Sequence, residues 1–288
     1  MLDDLEKFTS QMLEYNQAYF FLHCLPLWQC VLNLSGNSKD PLDVENGEAI
    51  KKRKMVGAEE EVGAEAAKSY GMQVAFYFDE IEKATELYHQ VVEFKAPLFI
   101  LASVIYQRRV FFFALICMAN VKRGEKRYKA CAKKHMAYIK EFVDSGSHNL
   151  AHQRRILEAE FRSLDSSSSD DQDLLRNYEL ALISSTKSGF IPDAALCAYL
   201  TAQFCSSRQA LKDSMTSYIV RAHELYLTWG ATAVASRIRN RYPGAFRDDL
   251  TNIVASPSSG LNSRSRYRKS AMLQHQSLSN ARLVLKQL

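Results

Sequence analysis

Apolar residues recur along most of this chain at steps of three and four, the spacing that places side chains on one face of an α-helix. Leu5, Phe8, Met12, Tyr15, Tyr19 and Leu22 trace the first stripe and predict one long helix, or two packed ones, over residues 2–34. Pro26 interrupts it and is expected to start the second helix, Gly36 to end it, and Asn37–Pro41 to form a turn. From Tyr70 the period resumes as a single stripe of Val74, Phe78, Ile81, Ala84, Leu87, Tyr88 and Val91. Ala96–Lys122 and Lys126–Val143 follow, set off by breakers at Ala96-Pro97 and Arg123-Gly124. Helices are then predicted over His152–Leu164, Asp173–Lys187, Pro192–Ser207, Leu211–Trp229 and Ala231–Arg241, closed at Tyr242-Pro243. Short connections of this kind make sequential helices pack antiparallel.

Two stations within these helices look alike: Tyr178 with Ala181, and Tyr218 with Ala222. Their spacing of about forty residues fits a two-helix unit that completes its core by stacking on the next, as in an α-solenoid. The expected fold class is all-α, a TPR-like α-solenoid of antiparallel helix pairs with a disordered basic C-terminal linker.

Composition agrees with helices, since Gly (11) and Pro (6) are too scarce for the turns of an all-β fold, while 47% apolar residues supply a core. The net charge of +5 changes the picture only at one end. Arg264, Arg266, Arg268, Lys269, Arg282 and Lys286 concentrate basic charge beyond residue 250, where no acidic residue occurs, so the remainder is close to neutral. Nucleic acid is therefore not the expected partner, because a phosphate-binding surface needs clustered charge on a folded face. The sequence around 256–270 reads as a flexible Ser/Arg linker, and Leu278, Leu283 and Leu285 as the apolar positions of a short helix over Leu273–Leu288.

Cys24, Cys30, Cys117, Cys131, Cys197 and Cys205 show no paired or zinc-type spacing and read as small buried hydrophobes in a reducing compartment. Ala96–Asn120 is long enough to span a bilayer, but Arg108 and Arg109 at its centre point to a buried core helix instead. The acidic N-terminus lacks the basic region of a signal peptide, which leaves a cytoplasmic location as the expectation. Lys51, Lys52, Arg53 and Lys54 offer a nuclear-import alternative, weighed against a solvated charge run within a long loop.

The motifs that carry common chemistry do not occur: no phosphate-cradling glycine loop, no kinase H-R-D or D-F-G, no H-E-x-x-H. His148 with His152, and His89 with Glu93, have the i, i+4 spacing of metal ligands but no third ligand, so both are read as structural. Glu158 and Glu160 point to different faces of one helix, with Glu160 expected inside, tying a neighbouring element. The aromatic runs Tyr19–Phe21 and Phe111–Phe113 are read as core rather than as stacking platforms for bases. No catalytic residue, cofactor or metal is expected.

The segment Tyr226, Trp229, Gly230, Ala231 with Tyr242-Pro243 resembles the Y-x-x-W-G-A…Y-P signature of the TPR-like helical repeat region of multidomain signalling proteins. Those proteins carry Ser/Thr-kinase-like and AAA-type, origin-recognition-like ATPase domains, often followed by GAF and hybrid histidine kinase domains. Upstream, Gln29, Asn33, Gly36 and Pro41 are similar to the family's Q-x-x-x-N-L-x-G…D-P, Leu157–Glu160 to its L-x-A-E, and Tyr178, Ala181 and Gly189 to its Y-x-x-A…G-F. Departures are Val234 where the family has Lys, the insertion Ser166–Ser169, the charged loop 50–68, and the missing kinase and ATPase domains.

The resemblance implies a non-catalytic signalling scaffold whose partner is a protein or a neighbouring ATPase or kinase domain, with no membrane partner. The rival readings are a fragment of an AAA-type ATPase or kinase enzyme, an enzyme with an unfamiliar helical pocket, and a nuclear adaptor. The expected organisation is N-terminal helices over 1–36, a charged flexible insertion over 37–68, the repeat region over 69–250 and the basic linker over 251–288.

Overall fold

The computed structural model describes residues 2–57, 63–93, 103–165 and 170–246. Met1–Ala245 form one compact unit. The expected Ser/Arg linker and its short helix, the breaker at Ala96-Pro97 and the Ser166–Ser169 insertion lie outside the described residues.

The fold is all-α, and no strand occurs among the described residues. Helix α1 spans Leu2–Glu14 and α2 Ala18–Ser35. After a 3-10 turn over Ile50–Val56 come α3 (Ala64–Tyr77), α4 (Ile81–Val91), α5 (Val104–Lys122) and α6 (Tyr128–Asp144). Next are α7 (Ala151–Arg162), α8 (Asp171–Lys187), α9 (Ile191–Ser207), α10 (Lys212–Trp229) and α11 (Thr232–Arg241). Each helix packs on its neighbour in sequence, and the odd-numbered helices also touch one another: α3 with α5, α5 with α7, α7 with α9.

Two breaks fall elsewhere than expected. The first hairpin turns at Asn16, not at Pro26, which lies inside α2. Asn16 takes a left-handed φ of 55° and lets Gln17 N–H donate to Met12 O at 2.7 Å, closing α1. Pro26 has no N–H for the carbonyl of Leu22, and Gly63 packs beside that oxygen, where a Cβ would lie 3.6 Å away. The single stripe from Val74 to Val91 is likewise two helices. Asp79, at φ 59°, turns the chain between them in the same way, with Glu80 N–H donating to Ala75 O at 2.9 Å.

Gly36 (φ 75°) ends α2 as expected, and other helix ends are set by equally local caps. Asp170 Oδ1 accepts from Gln172 N–H at 3.0 Å to open α8. At the end of α10, Gly230 (φ 93°) donates to Tyr226 O and Leu227 O, and Ala231 N–H donates to Tyr226 O at 2.9 Å.

Within 37–57, expected as part of a charged flexible insertion, Val44, Ala49 and Ile50 are buried and the segment is folded against α2. Gln29 organises this. Its Oε1 accepts from Ala49 N–H at 2.7 Å, its Nε2 donates to Asn33 Oδ1 at 2.8 Å, and Asn33 Nδ2 donates to Asp43 O at 3.1 Å. Gly47 lies so close that a Cβ would stand 2.1 Å from Gln29 Cδ. The basic run sits on the same scaffold, with the Lys52 ammonium 4.0 Å from the Trp28 ring centre.

Helix α5 is the one described helix long and apolar enough to cross a bilayer, and it is mostly buried. Phe111, Phe112 and Phe113 are core, as expected. Tyr19 and Phe20 are not: they are 67% and 56% exposed, and only Phe21 of that run is inside. The turn at Asn16 sets α2 on a new phase and splits the stripe: Leu5, Met12 and Leu22 pack inwards, whereas Phe8, Tyr15 and Tyr19 face outwards. The two Tyr/Ala stations also differ, because Tyr178 is fully buried whereas Tyr218 is half-exposed and donates to Glu179 Oε1 at 2.7 Å.

Candidate interaction groove

The interior polar groups are held by one another. Asp193, 1% exposed at the start of α9, accepts from Arg108 Nη1 at 2.8 Å, His152 Nε2 at 2.7 Å and Gln153 Nε2 at 3.2 Å. Burial alone would raise its pKa, but the Arg108 charge and the His152 hydrogen bond outweigh burial and hold the carboxyl well below the usual range. Arg108 also donates to Tyr77 OH, and His152 stacks on Phe190 with ring centres 4.1 Å apart. His152 is 2% exposed, so this His–Asp pair cannot reach a substrate; its chemistry is to tie α5, α7 and α9 together.

Glu160 does the same about two turns further along α7. It accepts from Tyr178 OH and Lys122 Nζ, each at 2.6 Å, linking α5, α7 and α8. Glu158, two residues earlier, is exposed and pairs with Arg154. Arg109, the second central arginine of α5, pairs with Glu65 and donates to Ser69 Oγ at 3.0 Å. His89 pairs with Tyr128 OH at 2.7 Å, and His135 with Tyr88 OH at 3.2 Å. Burial, then the charge of Lys134, lowers His135 to about 4, so it is neutral at pH 7. No cluster of three or more His, Cys, Asp or Glu suited to a metal ion occurs among the described residues, and His148 is exposed on a separate 3-10 turn from His152.

Residues of α3, α5, α7, α9 and α11, with Ile81 at the start of α4, surround a hollow of about 300 Å³. Phe76, Ile81, Leu115, Ala119 and Leu200 give it apolar surface, and Asp79, Lys122, Arg123, Glu160, Gln203 and Arg241 give it polar rims. Past Lys122 and Gln203 it continues into a second hollow of about 420 Å³ bounded by Ser163, Leu164, Phe204, Ser207 and Arg208. The volumes lie in or near the range of ligand clefts.

Asp79 organises the rim. Its carboxylate accepts from Gln203 Nε2 at 3.2 Å and Tyr199 OH at 3.3 Å, and it pairs with Arg241 of α11. Helix α11 is further fixed by Arg237 on Glu80 and by Thr232 Oγ1, which donates to Ser35 O at 2.7 Å; beside it Gly36 has no Cβ to meet Ala233. Lys122 pairs with Glu160, Arg123 with Glu82, and Arg208 with Asp171. The hydroxyls of Ser163 and Ser207 donate to carbonyls of their own helices at 2.6 and 2.7 Å. The groove thus offers apolar surface and mutually neutralised charges, and neither serine is paired with a base. Among the described residues that line it, the charged side chains are engaged in these pairs.

Of the signature residues, Gln29 and Asn33 are fully buried in the α2 clamp, while Pro41 is exposed in its turn. Tyr178 and Glu160 form one buried hydrogen bond, and Ala181 is fully buried on the same helix as Tyr178. Gly189 (φ 77°) and Gly230 end helices, Ala231 is buried, and Tyr242 and Pro243 follow α11. Tyr226 is fully buried and Trp229 half-buried, both against Tyr77 at ring-centre distances of 6.0 and 5.3 Å. The Tyr226 hydroxyl has no hydrogen-bond partner among the described residues. These residues are distributed through the core and do not converge on one site; only Glu160 reaches the groove.

Asp193 and Asp79, the two carboxylates that bind the interior and the rim, were not singled out as sites by sequence. The available signals were an acidic residue behind Pro192 in an otherwise apolar helix, and Asp79-Glu80 immediately before a new apolar run. No protein-family model, curated protein or solved structure matches the chain.

Proposed function

We propose that this chain is a non-catalytic, TPR-like helical-repeat interaction region, of α-solenoid kind, belonging to an ATPase- or kinase-linked signalling protein. The observation that carries this reading is the groove built chiefly from alternate helices, with apolar surface between self-neutralised charges. A repeat architecture exposes such a surface because each helix pair packs chiefly on its sequence neighbours and leaves one edge of alternate helices uncovered. The ordered signature from Gln29 to Pro243 supports the signalling setting, and the partner it implies is a neighbouring ATPase or kinase domain.

The test is co-purification of the chain with a kinase-like or AAA-type domain encoded in the adjoining reading frame, measured for wild type and for Gln203→Arg. Binding that weakens at least about tenfold in the variant is expected, since a bulky charge would fill the junction of the two hollows. Absence of binding by a chain with intact helical circular dichroism would sink the proposal. So would a thermal shift of several degrees on adding ATP with magnesium or another cofactor, which requires a real small-molecule site.

A further inference from the structure

The opposite flank of α7 carries a second surface of different chemistry. Two adjoining hollows of about 260 and 230 Å³ lie between α6, α7 and α8. Both include Met136, Phe161 and Glu158, and Leu180, 45% exposed, borders one of them. Ile183, one helical turn from Leu180, is 48% exposed and extends the apolar strip.

Around this apolar floor the charges are one-sided. Lys133, Lys140, Arg154, Arg155 and Arg162 border the hollows, against the single carboxylate of Glu158. Arg154 is held by Glu158 and Asp144, and Lys140 by Asp144. Lys133, Arg155 and Arg162 are exposed and have no ion-pair partner among the described residues. Lys133 also stands 5.8 Å from the ring centre of Phe161, as does Lys129, which Asp165 pairs, so an unpaired cation faces the apolar floor itself. The inner groove, whose rim charges are paired, has no comparable imbalance.

We infer that this outer α6–α7–α8 face docks an acidic amphipathic segment of a partner protein. Its apolar side chains, spaced at i, i+3 or i+4 and i+7, would enter the hollows at Met136, Phe161 and Leu180. Its Asp and Glu side chains would meet Lys133, Arg155 and Arg162. Charge complementarity of this kind sets orientation and association rate, while the buried apolar anchors supply most of the affinity. A nucleic acid would use the cations but leave the hollows unfilled, so the peptide is the occupant that accounts for both features. The inference does not depend on what occupies the inner groove.

The experiment is selection of a random sixteen-residue peptide display library on the full chain, followed by anisotropy titrations of the enriched peptides. Peptides rich in Asp and Glu with helical apolar spacing should emerge. Their affinity should fall at least about tenfold with Arg155→Glu/Arg162→Glu, fall similarly with Phe161→Ala, and remain unchanged with Gln203→Arg, which alters only the inner groove. Enrichment of neutral or basic peptides, no enrichment, or equal binding by the charge-reversed variant would overturn it. Competition of these peptides by a random oligonucleotide with no sensitivity to Phe161→Ala would also overturn it. Arg155 and Arg162 are exposed, so the charge-reversed chain should keep its circular dichroism, and that is checked first.

Discussion

Asp193→Asn is the substitution from which most is expected. The wild-type carboxylate is almost fully enclosed and accepts from three donors on two other helices. Asparagine keeps the shape but has one acceptor oxygen, and its NH₂ faces donors from Arg108, His152 or Gln153. The Arg108 side chain, 27% exposed, is left without its counter-charge. Removing one partner of such a buried pair costs about 3–5 kcal/mol, a large part of the roughly 5–15 kcal/mol that holds a domain folded. Urea unfolding followed by circular dichroism at pH 7 should show the midpoint fall with an unchanged slope. Arg108→Gln and the double variant complete a cycle. Because each single change breaks the same bond, the double should be less damaging than the sum, with a coupling of at least about 1 kcal/mol. The sign with pH follows from the lowered carboxyl: the folded pKa lies below the unfolded value, so the stabilisation is complete above the unfolded carboxylate pKa. It fades as pH falls through it towards the folded one. The stability gap between wild type and Asp193→Asn should therefore be widest near neutrality and narrow below about pH 4. An additive cycle, or a cost below about 1 kcal/mol, would refute the view that this pair ties α5, α7 and α9.

Gly47→Ala should lower thermal stability by about 1–3 kcal/mol, read from the melting curve, because the new methyl collides with Gln29, which is fixed by hydrogen bonds to Ala49 and Asn33. Glu160→Gln should be milder than Glu160→Ala, which strands the buried Tyr178 hydroxyl at about 1–3 kcal/mol; equal urea midpoints for the two would count against the hydrogen-bond account. His135 is depressed to about 4, so the unfolded chain binds the extra proton first, and stability falls as pH drops from 6.5 towards 4. At pH 5 this amounts to about 2 kcal/mol, and His135→Leu should flatten that part of the urea-midpoint profile. Tyr226→Phe removes a buried hydroxyl without a partner among the described residues and should leave the melting temperature unchanged or raise it by an amount equivalent to about 1 kcal/mol; a clear fall would reveal a hidden bond.

Much of the helix map was legible because helix formation is local. A stripe at three- and four-residue steps, an Asp N-cap at Asp170, and glycines at Gly36, Gly189 and Gly230 act within a few residues of themselves. The breaks that were missed fall at Asn16 and Asp79, whose side chains tolerate the left-handed turn but also occur throughout ordinary helices; Pro26, the more conspicuous signal, is accommodated beside Gly63. Glu160 was legible as a buried group because its two-residue offset from Glu158 forces opposite faces. Its partners Tyr178 and Lys122 were not.

Sequence alone settled that the chain is helical, that α5 with its two arginines belongs to a packed interior, and where most helices stop. Tertiary structure alone decided that Arg108 meets Asp193 across 85 positions, that Asp79 gathers Tyr199, Gln203 and Arg241, and that Phe8, Tyr15 and Tyr19 face outwards. It also decided that the cations of α6 and α7 gather around one apolar floor while those of the inner groove are neutralised in place. A periodic stripe says which side of a helix is apolar; which neighbour covers it, and which distant charge answers a buried one, depends on packing among helices that are far apart in the chain.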